Sequence, residues 1–334
     1  MQIREISFSE AKDIAKSCGV IIPIEQTQVW AKYQSTINGR SQWQTILVED
    51  GDTAVCFANF LLFETHGFNF LRSCHGPVWF EDRDEDVEKS VIQAITQYVK
   101  TQDKSVVFIR MAVMGDFDIC EHVLSTTPYD TTVVVDVEGD EEDVLMRMKP
   151  RGRRDVRKAL REAPIVCVDE TDMGLEDFTP YYKVMLDTCE RDGFVPAVQS
   201  DYENMLTILG KDHARLFAAR DEQTNELAGW GIFTMNDNGG VYYYAAGSSE
   251  YRKKYPAVND KLVFKSLMKL SELGCKQVDL MGIGSDFCPE LNGLNMFKTK
   301  FSKKTVSIAP DRDIPVRGMF YKSLVKARKV LRRG

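Results

Sequence analysis

The sequence predicts an α/β protein made of two copies of one structural unit. Three observations predict it. The order strand, strand, strand, helix, strand occurs twice, with matching elements about 170 residues apart. The 334-residue length exceeds one ordinary core and suits two domains. The composition, 43% hydrophobic and 28% charged, is that of a globular chain, and no window approaches eighteen consecutive apolar residues, so no spanning helix is expected.

The first copy has a strand at 45–48, a hairpin partner at 54–63, a third strand at 68–73, an amphipathic helix at 87–99 and a strand at 105–111. The second has strands at 215–219, 227–235 and 241–246, a helix at 258–273 and a strand at 277–281, after which Gly282 and Gly284 open a loop. Between the copies, the acidic run 138–143 is expected to close the first domain. A basic helix follows Pro150, then a strand at 165–168 and a helix at 178–189 that ends in the turn Arg191-Asp192-Gly193-Phe194. A helix at 202–209 precedes the second copy. The segment 316–331 interleaves Phe320, Tyr321, Leu324 and Val325 with Lys322, Lys326 and Arg328, the pattern of an amphipathic helix. The expected domains are 1–144 with 315–334, and 145–314. No low-complexity linker separates them, and a cleft between two such units is the expected ligand site.

The formal charge of −7 argues against a general nucleic-acid coat protein. Residues 81–88 and 138–143 are acidic, whereas 149–161 and 317–333 are basic, so local anion binding is the question the charges raise. The eight cysteines are dispersed without a C-x-x-C pair and read as reduced, buried thiols. The four histidines show no metal-ligand spacing, so neither a metal site nor a histidine-centred triad is expected. The start, Met-Gln-Ile-Arg-Glu, lacks an apolar signal region, and a cytoplasmic location is expected.

The β-β-β-α-β order resembles that of GNAT acyltransferases. Members that use acyl-CoA hold its pyrophosphate in a Gly-rich turn between the central strand and the helix. Neither Gly247-Ser248-Ser249 and its continuation to Pro256, nor Ser73-Cys74-His75-Gly76-Pro77, resembles the Q/R-x-x-G-x-G/A turn. An acyl donor other than a CoA thioester is expected.

Specific residues resemble the Fem aminoacyltransferases. They are Gln26-Thr27-Gln28-Val29-Trp30-Ala31-Lys32-Tyr33, Arg72-Ser73-Cys74-His75-Gly76-Pro77-Val78, the basic helix 149–161 and Glu190-Arg191-Asp192-Gly193-Phe194. Further on come Ala246-Gly247-Ser248, Val278-Asp279-Leu280-Met281-Gly282 and Asn295-Met296-Phe297-Lys298-Thr299-Lys300-Phe301. The matches run in order over nearly the whole chain. The length resembles the compact FemX type, without a long helical-hairpin insertion. Ala112 stands where the family often has an acid, and Val198 where it often has an arginine.

The resemblance implies two tandem GNAT-like domains, with the C-terminal helix returning to the first. It also implies transfer of an amino acid from aminoacyl-tRNA to a stem-peptide amine of a peptidoglycan precursor. The partners would be aminoacyl-tRNA and a UDP-linked or lipid-linked muramyl pentapeptide. The chain would be a monomer needing no cofactor or metal, in the cytoplasm or peripheral at the inner membrane face.

The chemistry is aminolysis of an ester, in which a fixed cation stabilises the charge developing on the carbonyl oxygen. Lys298 is the candidate for that role. Asp279 would orient the cation or the loop at Gly282, and Tyr244 is the third catalytic candidate. Tyr242 and Tyr244, two residues apart, are expected on one face of their strand, lining a substrate channel. Trp30, Lys32, Arg191, Tyr202 and Phe297 are the other substrate-binding candidates. Arg154, Arg157, Lys158 and Arg161 recur at helical spacing, suiting either tRNA phosphates or a solvated face paired with acids. The alternatives are a GNAT-like N-acyltransferase for another amine and a non-catalytic module that binds the precursor or tRNA.

Overall fold

The structure, a computed structural model, describes residues 1–331 apart from Ser125 and Pro256; Pro256, named above, and the last residues of the basic stretch 317–333 lie outside the described residues. The chain divides into two compact units, Met1–Asp130 with Ile308–Gly334, and Thr131–Ser307.

The first unit begins with β1 (Gln2–Glu5), α1 (Phe8–Ser17) and α2 (Gln28–Gln34). The meander β2 (Arg40–Asp50), β3 (Thr53–Thr65) and β4 (Phe68–Ser73) follows, then the short β5 (Val78–Trp79), α3 (Glu85–Gln102) and β6 (Val106–Ala112). These strands form a sheet in the order β1-β2-β3-β4-β6, with β5 on β3, and β4 and β6 run parallel. Helix α3 starts where the Asp84 carboxylate accepts the Val87 N–H at 2.8 Å. Its Val91, Ile92, Ile95 and Val99 recur at helical spacing and pack in one core with Ile46, Val48, Phe60 and Ile109 from the sheet.

The second unit contains β7 (Thr131–Asp136), α4 (Glu141–Arg147), α5 (Pro150–Glu162), β8 (Ile165–Asp169), α6 (Thr171–Glu176), α7 (Thr179–Asp192) and α8 (Gln199–His213). It continues with β9 (Ala214–Asp221), β10 (Leu227–Asn236), β11 (Gly239–Gly247), α9 (Ser249–Lys254), α10 (Val258–Glu272), β12 (Gln277–Gly282), α11 (Asn292–Lys298) and β13 (Val306–Ser307). The sheet order is β13-β7-β12-β11-β10-β9-β8. Strand β7, which the sequence reading assigned to the first domain, pairs antiparallel with β12 and therefore lies in the second unit. Parallel pairing of β11 with β12 covers only Gly239–Gln277, Gly240–Val278 and Val241–Asp279, after which it stops.

Helices α5 and α10 pack together through Val156, Val263, Phe264 and Leu267 in the core of this unit. A second group, Phe178, Tyr181, Tyr202 and Trp230, joins α7 and α8 to β10. Gly152 allows α5 its closest approach to the turn after α11, since a Cβ there would meet the Lys300 backbone oxygen at 2.3 Å. Gly152→Ala should therefore destabilise the second unit by about 1–3 kcal/mol, although alanine favours helix; a denaturant midpoint equal to or above that of the parent chain would contradict this.

The chain then returns to the first unit through β14 (Asp311–Pro315), antiparallel on β6, and α12 (Gly318–Leu331). Tyr321 of α12 sets its ring edge-on against Phe108, with centroids 5.4 Å apart. Among the described residues the longest helix is α3, at 18 residues, and no helix is long and apolar enough to cross a membrane.

Candidate functional site

The candidate site forms at the end of β12, past the point where pairing with β11 stops. Its pairing with β7 shifts register between Asp279 and Gly282, and Met281 lies in the left-handed region at φ +63°. The Asp279 carboxylate stabilises this irregular turn by accepting the Met281 N–H at 2.7 Å and the hydroxyl of buried Thr132. The turn presents the Gly282 carbonyl to α11, where Lys298 Nζ donates to it at 2.8 Å.

Several contacts place Lys298. Asn295 accepts the Gly284 N–H at 2.7 Å and donates to the Gly284 carbonyl at 3.0 Å. Lys300 Nζ bonds both carboxylate oxygens of Asp260 on α10, at 3.0 and 2.8 Å. Phe297 sets its ring edge-on to the buried Phe301, with centroids 5.7 Å apart.

Lys298 is 9% exposed. Burial pushes its amine down to about 8, and the nearby Asp279 carboxylate acts in the opposite direction. An ammonium offers three donors, and among the described residues the Gly282 carbonyl is its one hydrogen-bond acceptor. The arrangement can therefore present a fixed, poorly solvated positive charge to an oxygen that is acquiring negative charge.

The structure brings Lys298 and Asp279 together and places the other candidates elsewhere. Tyr242 and Tyr244 do not share a face. Ile232 pairs with Tyr244 and Phe233 with Tyr242, so Tyr243 is an extra bulged residue that reverses the alternation. Tyr242 stacks on Phe233 at 4.7 Å in the core that includes α10, and Tyr244 meets Tyr202 edge-on at 4.9 Å on the opposite side. Tyr202 is itself buried, stacked on Phe178 at 5.5 Å. Burial raises the phenols of Tyr202 and Tyr242 well above their ordinary range. Trp30 is buried against Tyr33 in the first unit, and Lys32 is exposed on α2.

On α5, Arg154 pairs with Asp155 at 3.2 Å, Arg157 with Glu142, Lys158 with Glu162 at 3.7 Å and Arg161 with Glu162 at 3.8 Å. The solvated, acid-paired face is the arrangement present. Such exposed pairs contribute only about 0–1 kcal/mol each.

Arg191 braces the turn after β11. It donates to the Gly247 carbonyl at 2.7 Å and to Ser249 Oγ at 3.2 Å while pairing with Asp192 at 2.8 Å. Asp187 accepts the Ser249 N–H at 2.6 Å, a bond that holds its carboxyl below the usual range. A groove of about 690 Å³ beside this turn is lined by Asp187, Ser248, Ser249, Glu250, Lys253 and Lys254. A carboxylate thus occupies the backbone donor at the start of α9 that a pyrophosphate would need, and it opposes a second anion there.

Sequence reasoning missed Thr132, Gly152 and Asp260. Thr132 and Asp260 lie 147 and 40 residues from the partners they support, and no local pattern marks any of the three.

The two units have the tandem GNAT-like fold. The structure of FemX is similar, with a TM-score of 0.73 at 17% identity over 96% of this chain and 99% of that one. A tandem GNAT protein from the clavulanic acid biosynthesis pathway gives a TM-score of 0.57 at 10% identity, over 94% of this chain and 98% of that one. L-PGS from Bacillus licheniformis gives 0.52 at 12% identity, over 98% and 97%. No protein-family model and no curated protein matches the sequence.

Proposed function

We propose that this chain is an aminoacyltransferase that moves an amino acid from aminoacyl-tRNA to the stem-peptide amine of a peptidoglycan precursor, in the cytoplasm. The observation that carries the reading is the buried Lys298 amine fixed on the Gly282 carbonyl beside Asp279. The likeness to FemX supports the choice of substrates, and the Asp187 carboxylate at the start of α9 supports a donor other than CoA.

In this reaction the neutral amine attacks the ester carbonyl and a C–N bond forms. Negative charge collects on the carbonyl oxygen, where the Lys298 ammonium stabilises it. The C–O bond to the tRNA ribose then breaks, and the proton lost by the amine ends on the ribose hydroxyl. The weak surface pairs of α5 leave Arg154, Lys158 and Arg161 able to exchange acids for tRNA phosphates.

The test is a transfer assay with radiolabelled aminoacyl-tRNAs and nucleotide-linked or lipid-linked pentapeptide. RNase-sensitive label on one precursor is expected, and label on neither sinks the reading. A second result is expected from Asp279→Asn. Asp279 raises the Lys298 pKa, so removing its charge lowers that pKa further, and the alkaline fall in turnover should move to lower pH. A pH–rate profile with an unmoved alkaline limb would remove Asp279 from this role.

A further inference from the structure

The segment that follows β4 is held in an unusual shape, and the mechanism above does not use it. Cys74 and His75 are consecutive, and His75 lies in the left-handed region at φ +55°. At Gly76 a Cβ would meet Ser73 Oγ at 2.3 Å and the Gln26 side chain at 2.7 Å. Gln26 clamps the segment by donating to Ser73 Oγ at 3.0 Å and to the Cys74 carbonyl at 2.6 Å, and its own oxygen accepts the Asn59 N–H at 2.8 Å. The clamp also fixes the preceding residue. Glu25 is 3% exposed, and its Oε1 is buried without a hydrogen-bond partner. A carboxylate oxygen left so is costly unless a cation faces it.

Two further metal-ligating side chains gather around it. One ligand atom each from Glu25, Cys74 and His75 lies within 4.8 Å of the others.

We propose that Glu25, Cys74 and His75 form a binding site for a divalent cation of the zinc class. The donor set of one thiolate, one imidazole and one carboxylate suits a borderline-soft ion. Ligands about 2.0–2.3 Å from zinc in a tetrahedron stand about 3.3–3.8 Å apart, a spacing that small side-chain rotations reach from the present one. The thiolate and carboxylate cancel both charges of the ion, so the burial that penalises an unpaired Glu25 does not penalise the complex. Three protein ligands leave one position open, to water or to an oxygen of a bound molecule. The ion would tie the turn at Ile24–Gln26 to the loop after β4.

The test uses the whole chain, stripped of metal and titrated with Co²⁺, and it involves no transfer step. One equivalent should give visible ligand-field bands and a near-ultraviolet thiolate-to-cobalt band, and Zn²⁺ should displace both. Cys74→Ser should remove the near-ultraviolet band, and Glu25→Gln should weaken Co²⁺ by about tenfold or more. His75→Asn, whose asparagine tolerates the left-handed backbone, gives a second ligand deletion should Cys74→Ser not fold. Absence of bands in the parent chain overturns the proposal, as do bands that survive the folded Cys74 or His75 variant.

Discussion

Lys298→Met should lower transfer turnover by about 10²–10³-fold, the range seen when one donor to a developing oxyanion is lost. Methionine keeps the length and the apolar body of the side chain and removes only the charge and its hydrogen bond to Gly282. The fold should survive, because the ammonium form is itself opposed by burial. The sign of the linked stability follows. The folded pKa, about 8, lies below the ordinary lysine value of 10.5, so the penalty for burying the ammonium is full below pH 8 and disappears as pH rises towards 10.5. The parent chain should gain stability relative to Lys298→Met across that window, measured by denaturant midpoints at several pH values. Turnover should move the other way and fall as pH rises through about 8, because the catalytic cation is being lost. Lys298→Arg, if active at all, should lack that fall, since guanidinium does not titrate there. Full activity of Lys298→Met would exclude the cationic role.

Arg110→Ala should destabilise the first unit by about 3–5 kcal/mol. Arg110 is 1% exposed and Asp313 is fully buried, and they meet through two bonds of 2.6 and 3.0 Å. The Asp313 carboxylate also accepts from Tyr321 Oη at 3.1 Å and from the Leu124 N–H at 3.1 Å. Removing the guanidinium leaves a buried carboxylate whose remaining partners are neutral, and the cost is that of an uncompensated charge. The double variant Arg110→Met with Asp313→Leu should recover much of the loss, because it removes both charges and keeps volume. Chemical unfolding of the parent chain, the Arg110→Met and Asp313→Leu single variants and the double variant checks this, and a strictly additive double-mutant cycle would show that the pair carries no coupling.

Much of the fold is legible in the sequence, because alternation and helical spacing mark elements whose faces are buried by near neighbours. Both β-β-β-α-β runs occur where expected, with most of the strands longer, and the basic helix predicted at 149–161 is Pro150–Glu162. Strand β14 is not legible. Asp311-Arg312-Asp313-Ile314-Pro315 lacks an apolar stripe and becomes a strand because β6 supplies its hydrogen bonds and Arg110 its counter-charge. The faces of Tyr242 and Tyr244 were misassigned because an extra residue in one strand leaves no mark in that strand's own alternation. At the candidate site, Lys298 and Asp279 were legible through motif resemblance, whereas Thr132 and Asp260 contribute through contacts at long sequence separation. Cys74 and His75 show no metal spacing because Glu25 comes from a segment far away along the chain.

The pairing of β14 with β6 also bears on the order in which the protein assembles during synthesis. Arg110 leaves the ribosome about two hundred residues before Asp313, and every residue of the second unit is made in that interval. The first sheet therefore waits, with an exposed edge and an unneutralised arginine, while the later-made unit can already close on local contacts. A nascent chain halted before Asp311 should hold a protease-resistant second unit joined to a protease-sensitive first one, so the late synthesis of Asp311–Pro315 is what locks the earlier-made sheet.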